Sequence, residues 1–365
     1  MGNVFKVLKN LIGILLCFQI GCAIKPIQIL QEKTCENIAI NSYNSQSSIY
    51  SEKNQPDIIQ KPDFLNKKNG LIISSNQPCR IKYHDLYSRN RNIIVEGQIG
   101  NKGKKYPVVL DTGASQAIFL NAALVRKNKL PVYSLENSDI DFNEHKLGTC
   151  LLHELKTGNV TFVEWPCIYL ETYTPLSLFG IPIASSTFNN DNIILGMPLL
   201  REFKYIAFDN INQEAVLSYH KSFEPRDENL WEKYPTFMEE DFHGNTFLFV
   251  NVTFSGVETE LQLDTGSGRG LAIGETLWKQ IKHRLSKIKL KKRKEFYPYI
   301  GNLPCRNGKI PEFSFCNRTI KNADISVFPD DSPLLGDCEG LVGMQFFSNQ
   351  VIVLDFEHDI MWLRK

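Results

Sequence analysis

The tripeptide Asp-Thr-Gly occurs twice in this 365-residue chain, and most of its surroundings recur with it. Asp111-Thr112-Gly113 follows an alternating segment, 93–99, and an apolar one, 106–110. Asp264-Thr265-Gly266 follows the segments 246–254 and 258–263, which are separated by Ser255-Gly256. Both pairs of segments read as strands joined by a turn. Each tripeptide leads into a segment read as a helix, 117–129 and 271–290. Each copy later carries two aliphatic residues and a glycine, Ile194-Leu195-Gly196 and Leu341-Val342-Gly343. Each closes on a strand pair, 205–209 with 216–219 and 351–355 with 360–363. The aspartates lie 153 residues apart and the glycines 147, so the copies keep register. One Asp-Thr-Gly is expected by chance in about one chain in ten of this length, and alone it reads as a turn. Two in register define an internal duplication, which restricts the chain to two related, mostly β units.

Paired aspartates on matched loops carry a specific chemistry. Water attacks an amide only when a base takes its proton and an acid polarises the carbonyl. Two carboxylates within hydrogen-bonding reach cannot easily both ionise, so the pair keeps one proton and supplies both roles. Asp111 and Asp264 are the candidate pair. Gly113 and Gly266 let the backbone turn tightly beside each carboxylate. The Thr112 and Thr265 hydroxyls are placed to lock the loops together by hydrogen bonds to backbone. Gly196 and Gly343 are expected to let a strand pass directly behind each loop, where a side chain would collide.

The duplicated Asp-Thr-Gly with its aliphatic-aliphatic-Gly step resembles the pepsin and retropepsin superfamily of aspartic proteases, over roughly residue 93 to the C-terminus. Each repeat of about 120 residues is nearer a retropepsin subunit than a pepsin lobe in size, as if two such subunits were fused. The resemblance implies a mostly β, bilobal acid-protease fold: two related β-barrel-like lobes with a cleft between them. It implies an aspartic endopeptidase that hydrolyses polypeptide without cofactor, metal or covalent intermediate. By the same resemblance Asp111 and Asp264 are the catalytic pair, with Thr112, Gly113, Thr265 and Gly266 completing the loops. Flap hairpins are expected near 141–152 and 297–308, with Tyr297 and Tyr299 as candidate flap tyrosines. The halves differ after the loops, where Ala114 is retropepsin-like and Ser267 pepsin-like.

The rest of the chain sets the context. Lys6, Lys9 and the apolar run 11–20 read as an export signal over 1–22. Gln19-Ile20-Gly21-Cys22 resembles a lipobox, with Cys22 as the lipidated residue; cleavage after Ala23 and an uncleaved anchor are the alternatives. Residues 23–85, rich in Asn, Ser, Gln and Lys, are expected to be a disordered tether. The lobes are assigned to 86–221 and 243–365, joined by a charged, proline-containing linker at 222–242. This places the protein outside the cytoplasm, in the cell envelope or periplasm, lipid-anchored through its N-terminus or secreted. Export permits disulfides, and Cys150 with Cys167, or Cys305 with Cys316, are near enough in sequence to close hairpins. No cysteine–histidine spacing suggests a metal site. A net charge of +1 gives no general attraction to nucleic acid. The basic run 282–294 reads either as a solvated helix end and loop or as a device favouring acidic substrate segments. Two rivals to a monomeric peptidase are a non-catalytic, peptide-binding envelope lipoprotein and a dimer in which each chain uses one aspartate.

Overall fold

The computed structural model describes residues 70–365 apart from 88–90, 101–103, 134–140, 143–144, 171–172, 179–180, 188–191, 241–244, 286–287 and 298–299. The expected signal 1–22, Cys22 and most of the expected tether lie outside the described residues. The described protein is mostly β.

Each half closes a ring of six strands, and the strands follow the same spatial order in both. In the first half the ring runs through Val160–Leu170, Ile118–Asn121, Ile193–Gly196, Lys105–Asp111, Ile94–Ile99 and His145–Thr157, which pairs back to Val160–Leu170. In the second it runs through Arg318–Phe328, Leu271–Gly274, Gly340–Gly343, Val257–Asp264, Thr246–Phe254 and Gly301–Phe315. Closure removes the unpaired edges that an open sheet would leave. Strand alternation fills each ring: Val108 and Leu110 are fully buried on one strand, Leu261 and Leu263 on its counterpart. At Ser255-Gly256, φ is 47° and 81°, the left-handed pair that a tight two-residue hairpin turn demands.

A third sheet joins the halves. Its six strands run Trp231–Pro235, Ile360–Arg364, Val351–Asp355, Tyr205–Asp209, Glu214–Ser218, Cys79–Lys82. The central strands are antiparallel with Ala207 opposite Val353. These two residues occupy equivalent places in the repeats, so a local two-fold axis passes between them. Both faces of this pair are covered. Ile206, Phe208, Ile352 and Leu354 point into the main core, whereas Tyr205, Ala207, Val353 and Trp362 pack under Phe223 and Trp231.

The outer strands correct two boundaries. Residues 70–85, expected in the tether, include Gly70–Ile73 on the edge of the first ring and Cys79–Lys82 in the joining sheet. The expected linker 222–242 contains Trp231–Pro235 in the joining sheet and Phe237–Glu240 on the second ring. Lys82 opposes Glu214 as Pro235 opposes Ile360. Lys82 and Pro235 are 153 residues apart, the offset of the aspartates, so the duplication begins near residue 79. Polar composition hid these strands, because each shows only one face to the core: Cys79 and Ile81 are buried while Arg80 and Lys82 are exposed.

The expected helices 117–129 and 271–290 are also shorter. Ile118–Asn121 and Leu271–Gly274 are strands buried at every position, and helix follows only at Ala122–Asn128 and Glu275–Ile281. A uniformly apolar run inserted between two strands satisfies its backbone in the sheet. Asn121 then caps the first helix, its Oδ1 accepting from the Ala123 N–H at 2.8 Å. Cys150 lies opposite Cys167 across a hairpin. Cys305 and Cys316 instead sit at the two ends of the 15-residue strand Gly301–Phe315 and its turn, too far apart to bond.

Candidate active site

Each Asp-Thr-Gly loop begins at the end of a ring strand, and the duplication brings the two loops face to face. Asp111 closes Lys105–Asp111 and Asp264 closes Val257–Asp264. Behind each, the aliphatic-aliphatic-Gly strand runs parallel, with Gly196 beside Asp111 and Gly343 beside Asp264. Their neighbours tie them to the loops in the same way. The Met197 N–H donates to Ala114 O at 2.7 Å, and the Met344 N–H to Ser267 O at 2.7 Å. A Cβ on Gly196 would lie 2.0 Å from Gln116 O and 2.4 Å from Ala114 O; on Gly343 it would lie 2.3 Å from Arg269 O. Close backbone approach, not unusual φ, requires glycine at both places, since φ is −95° and −96°.

The threonines cross between the halves. Thr112 Oγ1 donates to Leu263 O at 2.5 Å and accepts from the Thr265 N–H at 3.1 Å. Reciprocally, Thr265 Oγ1 donates to Leu110 O at 2.7 Å and accepts from the Thr112 N–H at 3.0 Å. Both side chains are buried. Thr112→Val keeps the shape but leaves Leu263 O and the Thr265 N–H without partners. The expected cost is roughly 2–6 kcal/mol, from about 1–3 for each orphaned group. Urea denaturation measures it, and Thr112→Ser should recover most of the loss.

The crossing also sets the carboxylates. A Cβ on Gly113 would meet Asp264 Cγ at 2.6 Å, and one on Gly266 would meet Asp111 Cγ at 2.2 Å. Each glycine thus leaves the space that the other loop's carboxyl group fills. Asp111 Oδ1 accepts from the Gly113 and Ala114 N–H groups at 2.8 and 3.1 Å. The two carboxyl groups hydrogen-bond to each other. Asp264 Oδ1 has no hydrogen-bond partner among the described residues.

Burial raises the pKa of both groups above the ordinary carboxylate range. For Asp111, the hydrogen bonds from Asp264 and from backbone N–H groups offset part of that rise. For Asp264, the Asp111 charge adds to burial and drives it well up. Two carboxyl groups this close resist ionising together, so their titration belongs to the pair.

No known protein-family model matches this chain, and no curated protein does.

Strand pairs occur at both segments expected to form flap hairpins. In the second half, Lys291–Tyr297 pairs with the beginning of Gly301–Phe315. Tyr297 lies over the Arg269 guanidinium, 4.8 Å from ring centroid to Cζ, and its hydroxyl donates to Glu295 Oε2 at 3.0 Å. Tyr299 lies outside the described residues. In the first half, Asp141–Phe142 pairs with His145 and Lys146. The basic run is a helix end and loop only in part: Lys282 caps the helix Glu275–Ile281, whereas Lys291–Lys294 belong to a strand.

Sequence reasoning missed the Arg269–Glu295 ion pair and the Asn307 and Ser326 side chains that hydrogen-bond Glu295. Nothing in their spacing marks them, since the sheet brings them together from four segments. Among the described residues, no group of three or more His, Cys, Asp and Glu side chains is arranged to hold a metal ion.

Proposed function

We propose that this protein is an aspartic endopeptidase of the pepsin and retropepsin type, a single chain whose two barrel-like halves form the lobes of an acid-protease fold. The observation that carries the reading is the contact between Asp111 and Asp264, each on an Asp-Thr-Gly loop crossed with the other through Thr112 and Thr265. The ionised member of the pair takes a proton from water as the water oxygen attacks the scissile carbonyl carbon. The protonated member gives its proton to the carbonyl oxygen. The resulting gem-diol collapses as the C–N bond breaks, one hydroxyl proton returns to a carboxylate, and the amine leaves protonated by the pair. Every proton taken is returned, so no covalent enzyme intermediate is needed. In this reading the protein acts as a monomer on exported or extracellular polypeptide, held at the envelope through its N-terminus.

The test is digestion of a diverse peptide mixture by the whole chain across pH, beside an Asp111→Asn chain, with products read by mass spectrometry. Cleavage should follow a bell-shaped pH profile: it falls at low pH when both carboxyls are protonated and at high pH when the shared proton is lost. Equal product from the Asn chain would refute the assignment. Peptide binding without cleavage by either chain would favour the non-catalytic binder instead.

A further inference from the structure

A cavity of about 700 Å³ opens where the second Asp-Thr-Gly loop ends. Gly268, Arg269, Gly270 and Leu271 form one wall, directly after Asp264-Thr265-Gly266. The hairpin strand Lys291–Tyr297 forms another. Six cationic side chains line it: Arg91, Arg269, Lys289, Lys291, Arg293 and Lys309. Only two anionic ones do, Glu295 and Asp324. Both are engaged, Glu295 with Arg269 and Asp324 with Lys309 at 2.7 Å. Among the described residues, Lys289, Lys291 and Arg293 form no ion pair. The cavity therefore carries cationic excess that the protein's own carboxylates do not neutralise.

Strand alternation decides which members of the basic run contribute. Lys291, Arg293 and Glu295 share the face that lines the cavity; Lys291 to Lys294 are all exposed, but Lys292 and Lys294 take no part in that lining. Tyr297, next on the inner face, lies on Arg269 and within electrostatic reach of Asp264, which ties the basic strand to the carboxylate pair. The first loop continues differently. There the residues after Gly113 are Ala114, Ser115 and Gln116, and the last two are buried.

We propose that this cavity is a subsite for an anionic side chain, a carboxylate or a phosphoryl group, carried by the polypeptide at a fixed distance from the bond between the two aspartates. The proposal rests on the peptidase reading, and it gives that reading a substrate class and a direction: the anionic residue lies on the Asp264 side. Each partly exposed charge pair is worth a factor of about two to five. Two or three together favour glutamate over glutamine about tenfold, and phosphoserine, with its higher charge, more. The preference falls with added salt, because the cavity is open to solvent.

The test uses peptides identical except for Ala, Gln, Glu or phosphoserine at one position at a time around the cleaved bond, with kcat/KM read for each. The native chain is compared with Lys291→Glu/Arg293→Glu and with Lys292→Glu/Lys294→Glu, which change net charge equally. The expected result is a roughly tenfold preference for Glu over Gln at one position, abolished by the inner pair of substitutions and retained by the outer pair. Glu and phosphoserine peptides separate the carboxylate from the phosphoryl source. Should the inner pair impair folding, Lys291→Gln/Arg293→Gln replaces it. Cleavage with no anionic preference, or with the same loss in inner and outer variants, overturns the subsite and leaves the peptidase standing. Fluorescence anisotropy of the same peptides on the Asp111→Asn chain covers the opposite case. If no peptide is cut but Glu peptides bind better than Gln peptides, and the inner variants remove that difference, the peptidase reading fails and the anionic site stands.

Discussion

Asp264→Asn is expected to lower peptide hydrolysis by about 10²–10⁴-fold, the usual contribution of a positioned acid–base group, and at the same time to make the folded protein more stable at neutral pH. The two effects share one cause. Asparagine fills the same space but cannot share a proton with Asp111, so base and acid are no longer available together. Stability moves the other way because Asp264 is buried beside the Asp111 charge, which raises its pKa. A carboxyl whose folded pKa lies above its unfolded value of about 3.9 favours folding most below that value. Its contribution is lost as pH rises through the raised folded pKa, because the folded state must then give up a proton it binds more tightly. The Asn chain lacks this slope. Its advantage in thermal midpoint over the native chain should therefore be large at pH 7 and shrink toward pH 4. Depressed carboxylates such as Asp324 and Asp330 act in both chains and cancel in the difference. An advantage that does not change with pH would contradict the shared, buried proton.

Gly196→Ala is expected to destabilise the protein by about 3–5 kcal/mol, a large share of the 5–15 kcal/mol that holds a typical domain together. The added methyl would sit 2.0 Å from Gln116 O and 2.4 Å from Ala114 O. Both are backbone atoms of the turn that follows Asp111, so no side chain can rotate away. Relief requires the strand Ile193–Gly196 to retreat, which strains the Gly196 N–H bond to Ala117 O at 3.0 Å and the Met197 N–H bond to Ala114 O at 2.7 Å. Gly70→Ala is the control. It lies in a strand too, but its added methyl would meet Val163 Cβ at an ordinary 3.7 Å. Its urea midpoint should stay within about 0.5 kcal/mol of the native chain. Similar losses from both substitutions would show that the cost comes from the strand and not from the passage behind the aspartate.

The two predictions rest on residues that differ in how openly the sequence announced them. Asp111, Asp264 and their glycines stand out because the repeat places each of them twice, and identical local sequence folds into the same local structure twice. The strands Cys79–Lys82 and Trp231–Pro235 repeat at the same 153-residue offset. They show no shared motif, because an edge strand in the joining sheet needs only one apolar face and hydrogen-bonding backbone. Ile118–Asn121 and Leu271–Gly274 read as helix in the sequence because short apolar runs carry no period. Only their insertion between two strands makes them sheet.

The sequence by itself determined that the chain holds two copies of one β unit, each ending a strand in an aspartate with glycine beside it and a glycine step to follow. Local chemistry suffices there, since turn geometry and close backbone approach demand particular residues at particular spacings. The tertiary structure decided what stands between the copies. Contacts across the two-fold axis join residues about 150 positions apart, such as Thr112 with Thr265 and Gly266 with Asp111. Strand alternation put Lys291 and Arg293, and not Lys292 and Lys294, in the lining of the cavity beside the Asp264 loop. A linear pattern shows which residues exist and how they are spaced. The field between them depends on which sides face each other, and only the folded sheet sets that.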